Sequence, residues 1–82
     1  MLLEKIRVLP VGYSEVIYEG RKYGVTRCDF NNRNSHKIYA EELGGTNYIS
    51  LNYYITQKGE NLKPCEMPKG KVIDFLNNYS LI

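Results

Sequence analysis

Between residues 36 and 56 the chain alternates apolar and polar side chains on both sides of Gly44-Gly45, which leaves little freedom in how this segment folds. A two-residue turn at Gly44-Gly45 sets Leu43 opposite Thr46, Ala40 opposite Ile49 and Ile38 opposite Leu51. One face of the hairpin then carries Ile38, Ala40, Ile49, Leu51, Tyr53 and Ile55. The other carries Lys37, Tyr39, Glu41, Tyr48, Ser50, Asn52, Tyr54 and Thr56. Strand side chains alternate with period two, so a slip of one residue would mix the two sets, and the register is strongly specified.

The flanking segments fit around this hairpin. Ser14–Tyr18 and Arg21–Arg27 also alternate, and a turn at Glu19-Gly20 pairs Val16 with Tyr23 and Ser14 with Val25. Asn31-Asn32-Arg33-Asn34 is a polar run tolerant of positive φ and reads as a loop. Lys58-Gly59-Glu60-Asn61 turns the chain again, and Leu62–Cys65 adds a short strand, which Pro64 restricts to a sheet edge. At the start, Leu2, Leu3, Ile6 and Leu9 recur at helical spacing until Pro10 and Gly12 end the pattern. At the end, Pro68 opens a second helix with Val72, Phe75, Leu76 and Tyr79 on one stripe, while Gly70 weakens its first turn by about 1 kcal/mol.

This order predicts one two-layer α+β domain over residues 1–82, an antiparallel meander of four to five strands. The C-terminal helix should cover the face with Ile38, Ile49, Leu51 and Ile55. The short N-terminal helix should pack beside it or on the opposite face. With 43% hydrophobic and 24% charged residues, 82 residues form a small core without requiring disulfide or metal support. The two cysteines, Cys28 and Cys65, form no disulfide framework. The first nine residues carry Glu4, Lys5 and Arg7 and no cleavage site, and no apolar run approaches the ~18 residues of a membrane helix. We therefore expect a cytoplasmic chain with free thiols and no membrane partner.

The runs Tyr23–Arg27, Lys37–Gly45, Leu62–Pro68 and Val72–Leu76 resemble a group of short uncharacterised bacterial proteins, over most of the chain after Leu9. Some members carry the label peptide methionine sulfoxide reductase. The A-type reductases use a cysteine in Gly-Cys-Phe-Trp, but this chain has no tryptophan and neither cysteine follows glycine. The CxxC zinc pair usual in B-type enzymes is also absent. The resemblance thus implies a small bacterial protein and transfers no catalytic residue.

Cys65 is the best candidate for chemistry, and Cys28, on the strand face with Gly24 and Thr26, reads as a structural residue. Cys65 lies three residues before Pro68, where the N-terminus of the last helix favours a thiolate, with Lys63 and Lys69 nearby and Glu66 opposing. An inert packing cysteine is the simpler reading of it. His36, the only histidine, projects onto the Ile38 face opposite Tyr53, where a hydrogen-bonded structural role fits best. One histidine and two distant cysteines fall short of a zinc set, so we expect no metal. No phosphate-binding glycine loop is present, and we expect no cofactor. Glu41 and Glu42 point to opposite faces and cannot act as a pair.

Eight tyrosines with no tryptophan is the compositional oddity. Tyr39, Tyr48 and Tyr54 share a hairpin face with Lys37 and Asn52, and Arg21 and Arg27 are expected to extend that face into the first hairpin. Residues 21–37 carry a local charge of +4, from Arg21, Lys22, Arg27, Arg33 and Lys37 against Asp29, while the whole chain is only +2. Tyrosine and arginine are enriched at protein interfaces. The expected function is a non-catalytic interaction module that uses this face to bind a protein partner or a second copy. The alternative is a small thiol-dependent enzyme or redox adaptor centred on Cys65. Single-stranded nucleic acid, stacked on the tyrosines, is possible but not favoured at this net charge. If the N-terminal helix covers the tyrosine face, these residues become part of the core instead.

Overall fold

The computed structural model describes residues 2–30, 32 and 34–82. Helix α1 spans Leu2–Val8, followed by strands β1 (Gly12–Tyr18), β2 (Arg21–Phe30), β3 (Ser35–Glu42), β4 (Tyr48–Thr56) and β5 (Gly59–Pro64). Helix α2 (Lys69–Asn78) and a two-residue strand β6 (Ser80–Leu81) complete the chain. The strands form one antiparallel sheet in the order β5-β4-β3-β2-β1-β6. The first five make the expected meander. The sixth was not expected, because two residues show no alternation to read. Leaving α2, it pairs Ser80 with Ile17 and Leu81 with Val16.

Both hairpins have the register read from the sequence. Val16 pairs with Tyr23 and Ser14 with Val25, around a turn in which Glu19 (φ 53°) and Gly20 (φ 74°) are both left-handed. That is the geometry whose twist matches the strands it joins. Ile38 pairs with Leu51 and Ala40 with Ile49, but the expected two-residue turn at Gly44-Gly45 is a longer loop. The Glu42 N–H donates to Asn47 O at 2.9 Å, so residues 43–46 all lie in the loop. Two contacts account for the difference. Leu43 N–H donates to Lys22 O on β2, and the Glu42 carboxylate folds back where a Cβ on Gly45 would stand, meeting Arg21 Nη1 at 2.9 Å. The last turn is tighter than expected: it holds Gln57 and Lys58, and Gly59–Asn61 belong to β5. As for the expected loop after β2, Asn32 is left-handed (φ 55°), while Asn31 and Arg33 lie outside the described residues.

Both helices pack on the same face of the sheet. Ile6 and Leu9 from the α1 region, with Val72, Phe75 and Leu76 of α2, bury against Val16, Tyr23, Val25, Ile38, Ala40, Ile49 and Leu51. Tyr18, Tyr23 and Phe75 meet edge to face with centroids 5.0–5.9 Å apart, a geometry that favours aromatic quadrupoles. The Tyr18 hydroxyl donates to Asp74 and the Tyr79 hydroxyl to Lys5 O, which ties sheet to α2 and α2 to α1. Burial, with the Asp74 hydrogen bond, pushes the Tyr18 hydroxyl well above its ordinary range. Among the described residues no helix is long and apolar enough to cross a membrane. The opposite face of the sheet carries no helix, and that decides where the tyrosines lie.

Candidate interaction face

Strand pairing arranges the open face as four rows running across the strands. The first row is Glu15, Gly24, Glu41 and Tyr48, and the second is Tyr13, Thr26, Tyr39 and Ser50. The third is Cys28, Lys37, Asn52 and Lys63, and the fourth is Phe30, Ser35, Tyr54 and Asn61. The two glutamates share the first row and two lysines the third, with Tyr13 and Tyr39 between them, Tyr48 beside Glu41, and Phe30 and Tyr54 in the fourth row. Tyr13 is 61% exposed, Phe30 52%, Tyr39 39% and Tyr48 37%. Lone exposed apolar residues need no explanation, whereas here four exposed aromatic residues share one sheet face.

Tyr39 and Tyr48 are held in place by their neighbours. Tyr39 and Tyr48 lie with centroids 6.2 Å apart at a 32° tilt, and Lys71 of α2 places its ammonium 5.6 Å from the Tyr48 centroid. Tyr13 folds over Gly24, whose missing side chain leaves room: a Cβ there would stand 2.5 Å from the Tyr13 hydroxyl. Local desolvation where the hydroxyl lies over Gly24, with the nearby Glu15 carboxylate, raises the Tyr13 hydroxyl above its ordinary value. Between Phe30 and Tyr39 the face dips into a hollow of about 640 Å³, lined by Thr26, Cys28, Lys37 and Ser50 as well as the two rings.

The predicted residues divide into two groups. Tyr39, Tyr48, Tyr54, Lys37 and Asn52 all lie on the open face, with Tyr54 and Asn52 half-buried. Arg21 and Arg27 do not. They stand an even number of residues from Tyr23 and Val25, and therefore point to the helix-covered side. Arg21 pairs with the buried Glu42 at the rim of the core. Arg27 is buried, and its guanidinium is consumed internally. Nε and Nη2 donate to the two Asp29 oxygens at 3.0 and 2.8 Å, and Nη1 donates to Leu9 O at 2.6 Å with longer contacts to Ile6 O and Arg7 O. It thus caps the C-terminal end of α1, where carbonyls lack helical partners. The residues that do extend the tyrosine face, Tyr13, Thr26 and Phe30, were legible from the Glu19-Gly20 register, because Thr26 and Phe30 share parity with Gly24 and Cys28 and Tyr13 pairs with Thr26.

His36 belongs to the same internal network as Arg27. It pairs with Tyr53, is buried on the Ile38 side as expected, and its Nδ1 lies 2.7 Å from Asp29 Oδ1. Burial pushes the Asp29 carboxyl upward, but hydrogen bonds from Arg27 and His36 outweigh it and hold the carboxyl below its ordinary value of 3.8. A hollow of about 590 Å³ lined by Arg7, Val11, Arg27, Asp29 and His36 opens beside the network. His36 Nε2 is shielded from solvent and has no hydrogen-bond partner among the described residues. Close by, burial and a hydrogen bond with Glu60 push the Tyr53 hydroxyl up to about 12.

Cys65 continues the line of β5. Its N–H donates to Ser50 O at 2.9 Å, and its sulfur accepts from Asn52 Nδ2 at 3.4 Å on the open face. Helix α2 begins at Lys69, four residues later. Cys28 is exposed on the same face, three strands away. Neither cysteine approaches His36, which lies on the other side of the sheet, so no Cys–His pair forms. Glu41 and Glu42 separate as expected, one exposed and one buried. The chain matches no family model, no curated protein and no solved structure.

Proposed function

We propose that this chain is a non-catalytic interaction module that binds another protein surface through the open face centred on Tyr39. One observation carries the reading: both helices pack on one side of the sheet and leave Tyr13, Phe30, Tyr39 and Tyr48 exposed on the other. Tyrosine suits such a surface, because it contributes a large rigid area with little rotamer entropy to lose and a hydroxyl that tolerates water. Small, buried Ser50 and Gly24 leave hollows between the rings that a partner's side chains can fill. Lys37 and Lys63 in the third row, with Lys22 one row beyond Gly24, are opposed by Glu15 and Glu41, and this mixed charge fits a protein surface better than a polyphosphate.

The test uses a photoreactive benzophenone side chain in place of Tyr39, with the same group at Asn77 on the exposed side of α2 as control. Irradiation in cells that express the chain should give a discrete covalent adduct from position 39 alone. Adducts from neither position, or equal adducts from both, would refute a dedicated contact face.

A further inference from the structure

We infer that the occupant of the open face is a second copy of this chain, stacked about a two-fold axis that crosses the strands at Tyr39. This rests on the reading of the face as a protein contact surface. The charge register on β3 carries the inference. Lys37 and Glu41 both point outward from the central strand, two residues to either side of Tyr39. A two-fold axis lying along the Tyr13–Tyr39–Ser50 row inverts the strand direction of the second copy. Each Lys37 then faces the Glu41 of the other chain, twice per dimer, with the two Tyr39 rings meeting at the centre. The hollow beside Tyr39 lies on the Lys37 side of this axis and receives the incoming carboxylate.

The competing face-to-face arrangement has its two-fold axis along the strands. It keeps every row opposite itself, so the Lys37–Lys63 row would meet a lysine row and the Glu15–Glu41 row an acidic one. Like charges brought together in this way select against the arrangement. Stacked sheets align within about 30°, and a residue two positions from the axis is about 7 Å out, so the Lys37–Glu41 contacts shift by only about 3–4 Å and stay within reach of these long side chains. Inversion about the second row superposes the first three rows, so strands β1 to β5 give a footprint of about 24 by 20 Å, or about 960 Å² over both copies, in the range of weak, transient contacts. The dimer is therefore reversible and concentration-dependent.

Sedimentation velocity on the full chain, from about 5 to 500 µM, should show a monomer–dimer equilibrium for the wild type, as expected for a small interface. Lys37→Glu alone places carboxylate against carboxylate at both symmetric contacts, and Glu41→Lys alone places ammonium against ammonium. Each should weaken self-association by about tenfold or more. Mixing the two variants makes both contacts attractive again, so the mixture should form a heterodimer with wild-type affinity to within about threefold. Recovery on mixing also shows that both variants are folded. A wild type that stays monomeric at 500 µM overturns the second copy, and a dimer indifferent to both reversals overturns the two-fold register. If the wild type is monomeric but benzophenone at position 39 captures a different protein, the contact-face reading stands and only the self-association fails. With neither dimer nor adduct, both fall.

Discussion

Replacing Arg27 with methionine tests the largest surprise of the structure, a guanidinium turned into the helix-covered side of the sheet. Methionine keeps an unbranched apolar stem and removes every donor. The change strips Asp29 of two hydrogen bonds, leaving His36 alone on a half-buried carboxylate, and uncaps the carbonyl of Leu9 at the end of α1. Breaking a buried ion pair by deleting one partner costs about 3–5 kcal/mol. A domain of 82 residues is stable by only about 4–12 kcal/mol, so the variant loses a large part of its stability. For this size, 1 kcal/mol moves the thermal midpoint by about 4–8 °C, and the expected drop is about 15–30 °C. The double variant Arg27→Met with Asp29→Asn removes the stranded charge as well, and should cost less than the sum of the two single losses by about 1–3 kcal/mol. Far-ultraviolet circular dichroism during heating and urea titration measures both. A drop of only a few degrees for Arg27→Met, with additive single losses, would mean that the guanidinium neither caps α1 nor compensates Asp29.

Three further outcomes follow from the same geometry. Leu51→Ala, at a position with no solvent exposure, should cost about 3–5 kcal/mol through the cavity it leaves, while Tyr39→Ser on the open face costs under about 1 kcal/mol at low micromolar protein; equal losses would mean that both faces are buried. The Asp29 carboxyl is held below its unfolded value, so it contributes stability above about pH 4 that is lost as the pH falls through its folded value. Acid titration should show a steeper loss below pH ~4 in the wild type than in Asp29→Asn, and parallel curves would contradict that role. Gly24→Ala drives a methyl group into the end of the Tyr13 ring, which is exposed and free to swing away. Its expected cost is under about 1 kcal/mol by urea titration, and a loss of several kcal/mol would mean that Tyr13 is fixed in place.

The sequence alone was sufficient wherever a local rule had only one solution. Alternation around Gly44-Gly45 and Glu19-Gly20 admitted a single register each, and so placed Tyr39, Tyr48 and Tyr54 together opposite Ile38, Ile49 and Leu51. The stripe of Val72, Phe75 and Leu76 likewise marked the helix face that is buried. The same parity put Arg21 and Arg27 on the core side, but an arginine at a core position is legible only once its partners are known, because a charge there needs specific acceptors to compensate its burial. Asp29 is two residues along the same face of β2, but the other acceptors, Glu42 on β3 and the end of α1, lie some twenty residues away in the chain. The length of the 43–46 loop was likewise set by the contact of Leu43 with Lys22 and by Glu42 folding back to Arg21, neither of which a hairpin pattern contains. The two-residue β6 carries no periodicity of its own and exists because α2 delivers the chain to the free edge of β1. Above all, only the tertiary structure decided which side of the sheet the N-terminal helix takes. A two-turn amphipathic segment encodes an apolar stripe and no destination. Packing against α2, with Arg27 capping its end, fixes α1 on the core side and leaves the tyrosine face open.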